Sequence, residues 1–140
     1  MEPVDSPVPW IRDHTQKYVE TNGEEGHDWK GVPTLLLTTK GRRSGQPRRT
    51  ALIYGQDGDG YVVVASKGGA PTDPLWYLNL VEDPAVEVQV KADRFAGRAR
   101  TATGEEKDRL WKLMTSIWPA YDEYQANTSR PIQVVVVERA

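Results

Sequence analysis

Three short apolar runs, separated by tight turns, govern what this chain can fold into. PTLLLTT (33–39), RRTALIYG (48–55) and YVVVAS (61–66) are rich in β-branched and long aliphatic residues. A glycine-bearing turn joins the first two, and DGDG (57–60) is a hairpin signal between the second and third. Parallel neighbours need a crossover of a dozen or more residues, so these strands must pair antiparallel. Downstream, VEVQVK (86–91) alternates as a half-exposed strand, RFAGRARTA (94–102) pairs with it, and IQVVVVE (132–138) reads as a buried strand. The unbroken apolar run of YVVVAS implies burial on both faces.

Helical periodicity fills the gaps. In PWIRDHTQKYVE (9–20), Trp10, His14 and Tyr18 share one face. TNGEEGHD (21–28) reads as an acidic surface loop. Asp73 is placed to cap a short helix with Pro74 at its first position, stopped by Asp83 and Pro84. Thr103 and Glu106 form a capping-box pattern before a helix that carries Leu110, Leu113, Met114 and Ile117 on one face and ends at Pro119. YDEYQANTSR reads as a polar loop or a short second helix. The expected class is α+β and mainly β: about six largely antiparallel strands with about three flanking helices, as a barrel or a sheet. With 140 residues, no internal repeat and no linker composition, one domain spanning 1–140 is expected.

Charge is unevenly spread. Formal net charge is −2, yet Lys40, Arg42, Arg43, Arg48 and Arg49 place five cations between residues 40 and 49 with no acid among them. The remainder of the chain is therefore clearly acidic. A basic turn on an acidic body suits a small anionic ligand, whereas nucleic-acid binding calls for a broader basic surface. No nucleic-acid partner is expected. Arginine forks match phosphate oxygens, and Gly41 and Gly45 let backbone approach a ligand. A tight hairpin with solvated cations has the same composition.

Other chemistries find little support. Cysteine is absent, which excludes disulfides and thiolate catalysis. The two histidines, His14 and His27, lack metal-ligand spacing and read as surface residues. Walker, dinucleotide-fingerprint and nucleophile-elbow patterns are missing. No signal peptide or bilayer-length apolar run is evident, so a cytoplasmic location is expected. Two further segments remain as candidates. ASKGGAPTDPLWYLNL runs from a strand end through a glycine-rich turn into a helix, and can present backbone N–H groups to an anion or ring edge. In WPAYDEYQ, Trp118, Tyr121 and Tyr124 recur at three-residue spacing and can line a cavity or simply pack a helix. An enzyme built from these residues would need a bound cofactor to carry the reaction.

Taken in order, LLLTTKGRRSGQPR, ALIYG, VVVASKGG, PLWYLNL and WPAYDEYQ resemble the deazaflavin-dependent nitroreductase family, over nearly the whole chain from Trp10 to Glu138. The resemblance implies a split β-barrel of the flavin-reductase type, with residues 1–30 forming an N-terminal helix and loop that cover the barrel, His14 belonging either to that cover or to the surface. It implies coenzyme F-420, with FMN as the alternative on the same fold. Arg42, Arg43, Ser44 and Arg48, helped by Gly45, Gln46 and Pro47, would hold the phosphate. Val64, Ala65, Ser66 and Lys67, with Leu75, Trp76, Tyr77 and Asn79, would cradle the ring. Trp10, Trp118, Tyr121 and Tyr124 would meet the acceptor. Ser66, Tyr121 and Tyr124 would hydrogen-bond it or relay a proton. The implied reaction is hydride transfer to a small electrophile: a quinone, enone or nitroaromatic. A non-catalytic coenzyme carrier is the rival. A monomer or homodimer, and a weak peripheral association with the inner membrane face, complete the expectations. The chain departs from the family pattern at Trp118, where tyrosine is frequent, at Thr72–Asp73, where histidine is common, and at Ala51, a usual proline position.

Overall fold

In the computed structural model, which describes residues 2–140, the apolar runs form the expected strands. Met1, where the expected domain begins, lies outside them. The order is β1 (Val4–Asp5), α1 (Pro9–Thr21), β2 (Asp28–Trp29), β3 (Val32–Lys40), β4 (Pro47–Ile53), β5 (Gly55–Asp57) and β6 (Gly60–Val64). A 3-10 turn (Lys67–Gly69), α2 (Leu75–Glu82), β7 (Ala85–Val90), β8 (Asp93–Thr101), α3 (Gly104–Ile117), α4 (Ala120–Ala126) and β9 (Val134–Arg139) follow. The sheet runs β1-β4-β3-β7-β8-β9-β6-β5, with β2 added to β3. Every pairing is antiparallel except β1 with β4. The sheet curls until β4 lies against β6 without pairing to it, so the barrel is split there.

The α+β class holds, with a larger strand count. Six strands have five or more residues, as expected, and β1, β2 and β5 are additions of two or three residues. Such bridges are too short to show a period. YDEYQANTSR resolves in favour of the short helix, α4, which makes four helices.

Alternation in β6 and β9 explains their continuous apolar sequence. Val63, Val135 and Val137 enter the barrel core with Leu35 and Leu37. Val62, Val64, Val134 and Val136 face the other way, onto Leu110 and Met114 of α3. Both faces are dry, and each fully buried valine contributes roughly 1.5–3 kcal/mol. Helix α3 comes so close to β5 that a Cβ on Gly55 would stand 2.8 Å from the Met114 sulfur. In β7 the expected alternation breaks at Gln89, which is buried because its Nε2 donates to the Lys91 carbonyl at 2.9 Å.

Two expected caps do not form. Thr103 takes the extended N-cap conformation of α3, but the Glu106 carboxylate turns to the Arg100 guanidinium at 2.6 and 2.9 Å. A bidentate charged pair outcompetes one hydrogen bond to a backbone N–H. Pro74 occupies the N-cap position of α2, and Asp73 instead pairs with Arg130. The 21–28 loop is not wholly at the surface. His27 is half-buried against the Tyr54 hydroxyl at 2.9 Å, and burial holds its imidazole pKa below the usual value.

Candidate functional site

The basic turn between β3 and β4 is rigid in its backbone and free in its charges. Gly45 N–H donates to the Gly41 carbonyl at 2.8 Å and Gly41 N–H to the Gln46 carbonyl at 2.9 Å. Ser44 Oγ accepts from Gln46 N–H at 3.1 Å, and Gly45 takes a φ of 72°, a region that favours glycine. From α2, the buried Asn79 accepts the Arg42 N–H through Oδ1 and donates through Nδ2 to Thr39 Oγ1, both at 3.1 Å. Among the five cations, Arg49 alone has an acidic partner. Its guanidinium grips Asp5 at 2.6 and 3.1 Å, joining β4 to β1. Lys40, Arg42, Arg43 and Arg48 have no acid within 4.0 Å among the described residues.

Strand β4 leads from this turn into a cleft at the split of the barrel. From Arg48 to Ala51 it covers about 10 Å, and Ala51, Leu52 and Ile53 then form one wall of the cleft. The volume is about 290 Å³. Val64, Ser66 and Gly68 supply the opposite wall, Trp118, Tyr121 and Tyr124 the end near α4, and Trp10, Ile11, His14, Trp29 and Thr34 the cover. Trp10, on α1, is 58% exposed and stacks on Trp29 with ring centroids 5.8 Å apart and planes 15° from parallel. Trp29 in turn meets Trp118 at 5.3 Å. These three indoles bridge α1, β2 and the end of α3.

Polar groups in the cleft are few. Tyr121 is 4% exposed and sits edge-on to Tyr124, with desolvation raising its phenol pKa well above the usual value. Tyr124 accepts from Trp118 Nε1 at 3.4 Å. His14 Nε2 lies 3.4 Å from Thr34 Oγ1. No carboxylate lines the cleft.

The Ser66 wall is organised from a distance by Arg130. This guanidinium, only 13% exposed, donates to the carbonyls of Ser66 (2.7 Å), Ala70 (2.7 Å) and Ala65 (3.3 Å), and pairs with Asp73 (3.1 Å). Lys67, Gly68 and Gly69 all have positive φ in the enclosed turn. A Cβ on Gly69 would meet the Tyr124 carbonyl at 2.7 Å, so only glycine lets the turn lie against α4.

Of the residues singled out in the sequence, Trp10, Val64, Ser66, Trp118, Tyr121 and Tyr124 come together around the cleft, while Ala65 and Lys67 flank its wall. Arg42, Arg43, Ser44, Gly45, Gln46, Pro47 and Arg48 gather at the turn. The α2 residues stand outside the cleft lining. Leu75 is exposed, Trp76 and Tyr77 pack on the barrel core, with the Tyr77 hydroxyl on Thr101 Oγ1 at 3.0 Å, and Asn79 braces the turn. Trp29 and Arg130 were not singled out for the site, and His14 was read as either part of the N-terminal cover or a surface residue. The partners of Arg130 lie 57–65 residues away in sequence, so its role leaves no local signal.

Comparison with known proteins gives the family and the fold. The family model described as "F420H(2)-dependent quinone reductase" matches residues 10–139. The chain belongs to that family. A relative from Mycobacterium tuberculosis, named as an F420H(2)-dependent quinone reductase, is 45% identical over 136 residues, 94% of this chain and 91% of the relative. A solved domain-swapped dimer is 39% identical, covers 95% of this chain and 100% of its own, and superposes with a TM-score of 0.74. The structure of an F420-H2 dependent reductase is 41% identical over 76% of this chain and 94% of its own, with a TM-score of 0.71. Of the positions expected from the sequence to depart from the family pattern, two lie at the cleft and one beside it. Ala51 and Trp118 line the cleft, and Asp73 holds Arg130.

Proposed function

We propose that this chain is an F-420-dependent reductase whose acceptor is a quinone. One observation carries the reading: four unneutralised cations on a braced turn are joined by a single strand, β4, to an apolar, aromatic-covered cleft. An elongated ligand with an anion at one end and a flat ring system at the other fits that pattern, and coenzyme F-420 is such a molecule.

Arg42, Arg43 and Arg48 would hold the phosphate, with Ser44 and the Gly45–Pro47 backbone at its side, and Lys40 would face the acidic tail. Charged hydrogen bonds of this kind contribute about 1.5–3 kcal/mol each. When bound in reduced form, the deazaflavin supplies a hydride. The protein's own part is orientation and dryness. Val64 and Ser66 would bound the ring, while Trp10, Trp29 and Trp118 would shield the cleft from water. Tyr121, held neutral by burial, and Tyr124 offer phenol groups to an acceptor oxygen. A planar quinone suits walls made of indole and phenol faces better than a flexible aliphatic substrate does.

The test is a fluorescence titration with oxidised F-420, run beside FMN, followed by reduced F-420 with a panel of quinones, enones and nitroaromatics. F-420-selective saturation and quinone-dependent oxidation support the reading. Preference for FMN overturns the cofactor assignment, and tight binding without turnover leaves a carrier. The same proposal includes a homodimer, suggested by the dimeric relative and by the exposed Leu75 and Val81 on α2, 67% and 58% accessible. A location in the cytoplasm, with weak attachment to the inner membrane face through Trp10 and the basic turn, is checked by flotation with anionic vesicles. No helix among the described residues is long and apolar enough to cross a membrane.

A further inference from the structure

The geometry points to His14 as the proton donor that completes reduction of the acceptor in the cleft. This deepens the quinone-reductase reading and rests on it.

His14 lines the cleft from α1, one helical turn beyond Trp10. Its surroundings fix how it can act. Thr34 Oγ1 donates its one proton to a backbone carbonyl, that of Gly26 lying 2.5 Å away, so towards His14 it can only accept. His14 Nε2–H therefore points at Thr34, and the tautomer is set. Nδ1 has no partner among the described residues, and because no buried polar side-chain atom there is left without one, Nδ1 reaches solvent. Protonated, His14 would hold Thr34 with one N–H and keep the other open to solvent beside the cleft that its ring lines.

The competing groups are weaker candidates. The other ionisable residues lining the cleft are Tyr121 and Tyr124 from α4, and neither a carboxylate nor another cation joins them. On α1 the neighbouring Arg12 and Asp13 face each other on the exposed side, 3.9 Å apart. Burial makes the Tyr121 phenol a poor acid. Ser66 has a hydroxyl, whose proton is released only at far higher pH. Imidazole is the side chain that exchanges protons near neutrality.

The chemistry balances. Hydride from reduced coenzyme brings two electrons and one proton to the quinone, leaving a hydroquinone monoanion with one O–H and one phenolate oxygen. His14 Nδ1–H breaks, the proton bonds to that phenolate oxygen, and the neutral hydroquinone leaves. Solvent then returns a proton to Nδ1.

Two measurements test this. The first is the pH profile of kcat with reduced F-420 and 2-methyl-1,4-naphthoquinone for the native chain and His14→Asn. The native rate should fall on the alkaline side of the imidazole range. The variant should lack that limb and run about 10²-fold slower at pH 6, with F-420 affinity unchanged. Native turnover with an identical pH profile in the variant overturns the inference alone. No native turnover with any quinone overturns the function itself, and this inference with it. The second needs no turnover and no variant. The chain has only two histidines, so the imidazole NMR spectrum is simple to assign. At saturation, 4-nitrophenolate, a mimic of the hydroquinone anion, should shift the His14 ring resonances while leaving those of His27 unmoved. His14 resonances that do not respond to the saturating mimic refute the assignment.

Discussion

Replacing Arg130 by Met should cost more than almost any other single change outside the valine core. The guanidinium serves three carbonyls and one carboxylate, and Met fills similar volume without a donor. Four charged hydrogen bonds at about 1.5–3 kcal/mol each would sum to far more than a single site loses, because they share one group and water can re-solvate part of the opening. The better guide is removal of one partner from a largely buried charged pair, which costs about 3–5 kcal/mol. Arg130 is 13% exposed and Asp73 30%, which keeps the value in that range rather than near the surface value of below about 1 kcal/mol. Urea unfolding followed by tryptophan fluorescence reads it directly. With a slope of about 2 kcal/mol per molar, the midpoint should drop by about 2 M at unchanged slope. Arg130→Lys, which keeps the charge but not the fork, should fall between the two. A loss below about 1 kcal/mol for Arg130→Met would show that the carbonyls of Ala65, Ser66 and Ala70 find other donors, and that the loop is not held as described.

Further outcomes follow from the same contacts. Asn79→Leu should leave the buried Thr39 hydroxyl and the Arg42 N–H without partners, costing about 1–3 kcal/mol and weakening F-420 binding, as read by urea midpoint and fluorescence titration. Joint Arg42→Ala and Arg48→Ala should weaken F-420 affinity by at least about a hundredfold with an unchanged urea midpoint, because neither side chain has an acidic partner in the fold; unaltered affinity would remove the turn from the binding site. The lowered His27 pKa implies that the unfolded chain binds more protons there, so this contribution is complete above about pH 6.5 and is lost as pH falls through the folded-state value. His27→Asn should flatten the fall in urea midpoint between pH 7 and 5, and an unchanged slope would assign the effect to other groups.

Much of the fold was legible because strand pattern and turn chemistry agree. Two-residue alternation in β7, the apolar runs of β3, β6 and β9, and the Gly58–Asp59 hairpin each specify their element locally. The two caps failed for one physical reason: the acid at each was captured by an arginine outside the helix it should cap. Asp73 and Glu106 sit where caps belong, but Arg130 and Arg100 offer charged forks that a local pattern cannot reveal. The cleft was half legible. Trp118, Tyr121 and Tyr124 share a stretch with spacing to read, whereas Trp29 reaches the site only because β2 bridges onto β3 at Trp29 and Val32. His14 stayed open between cover and surface because its partner, Thr34, lies on a strand twenty residues later.

Strand register decides which arginine is left without an acidic partner. On β4, Arg49 stands between Thr38 of β3 and Asp5 of β1, and its charge goes to Asp5. Arg48 stands between Thr39 and Val4, neither of which is charged, so it remains free. A slip of one residue would bring Arg48 opposite Asp5 and reverse every side chain on the strand between its two faces. The same slip would turn Ala51 and Ile53 away from where they now meet the cleft. Two features oppose it. Pro47 has no N–H to donate and closes the ladder opposite Lys40, and Thr39 is fixed by Asn79. The cationic turn and the aromatic cleft are thus not independent sites that happen to be close. They are the two ends of one strand, and the pairing that neutralises one arginine is the pairing that positions the other.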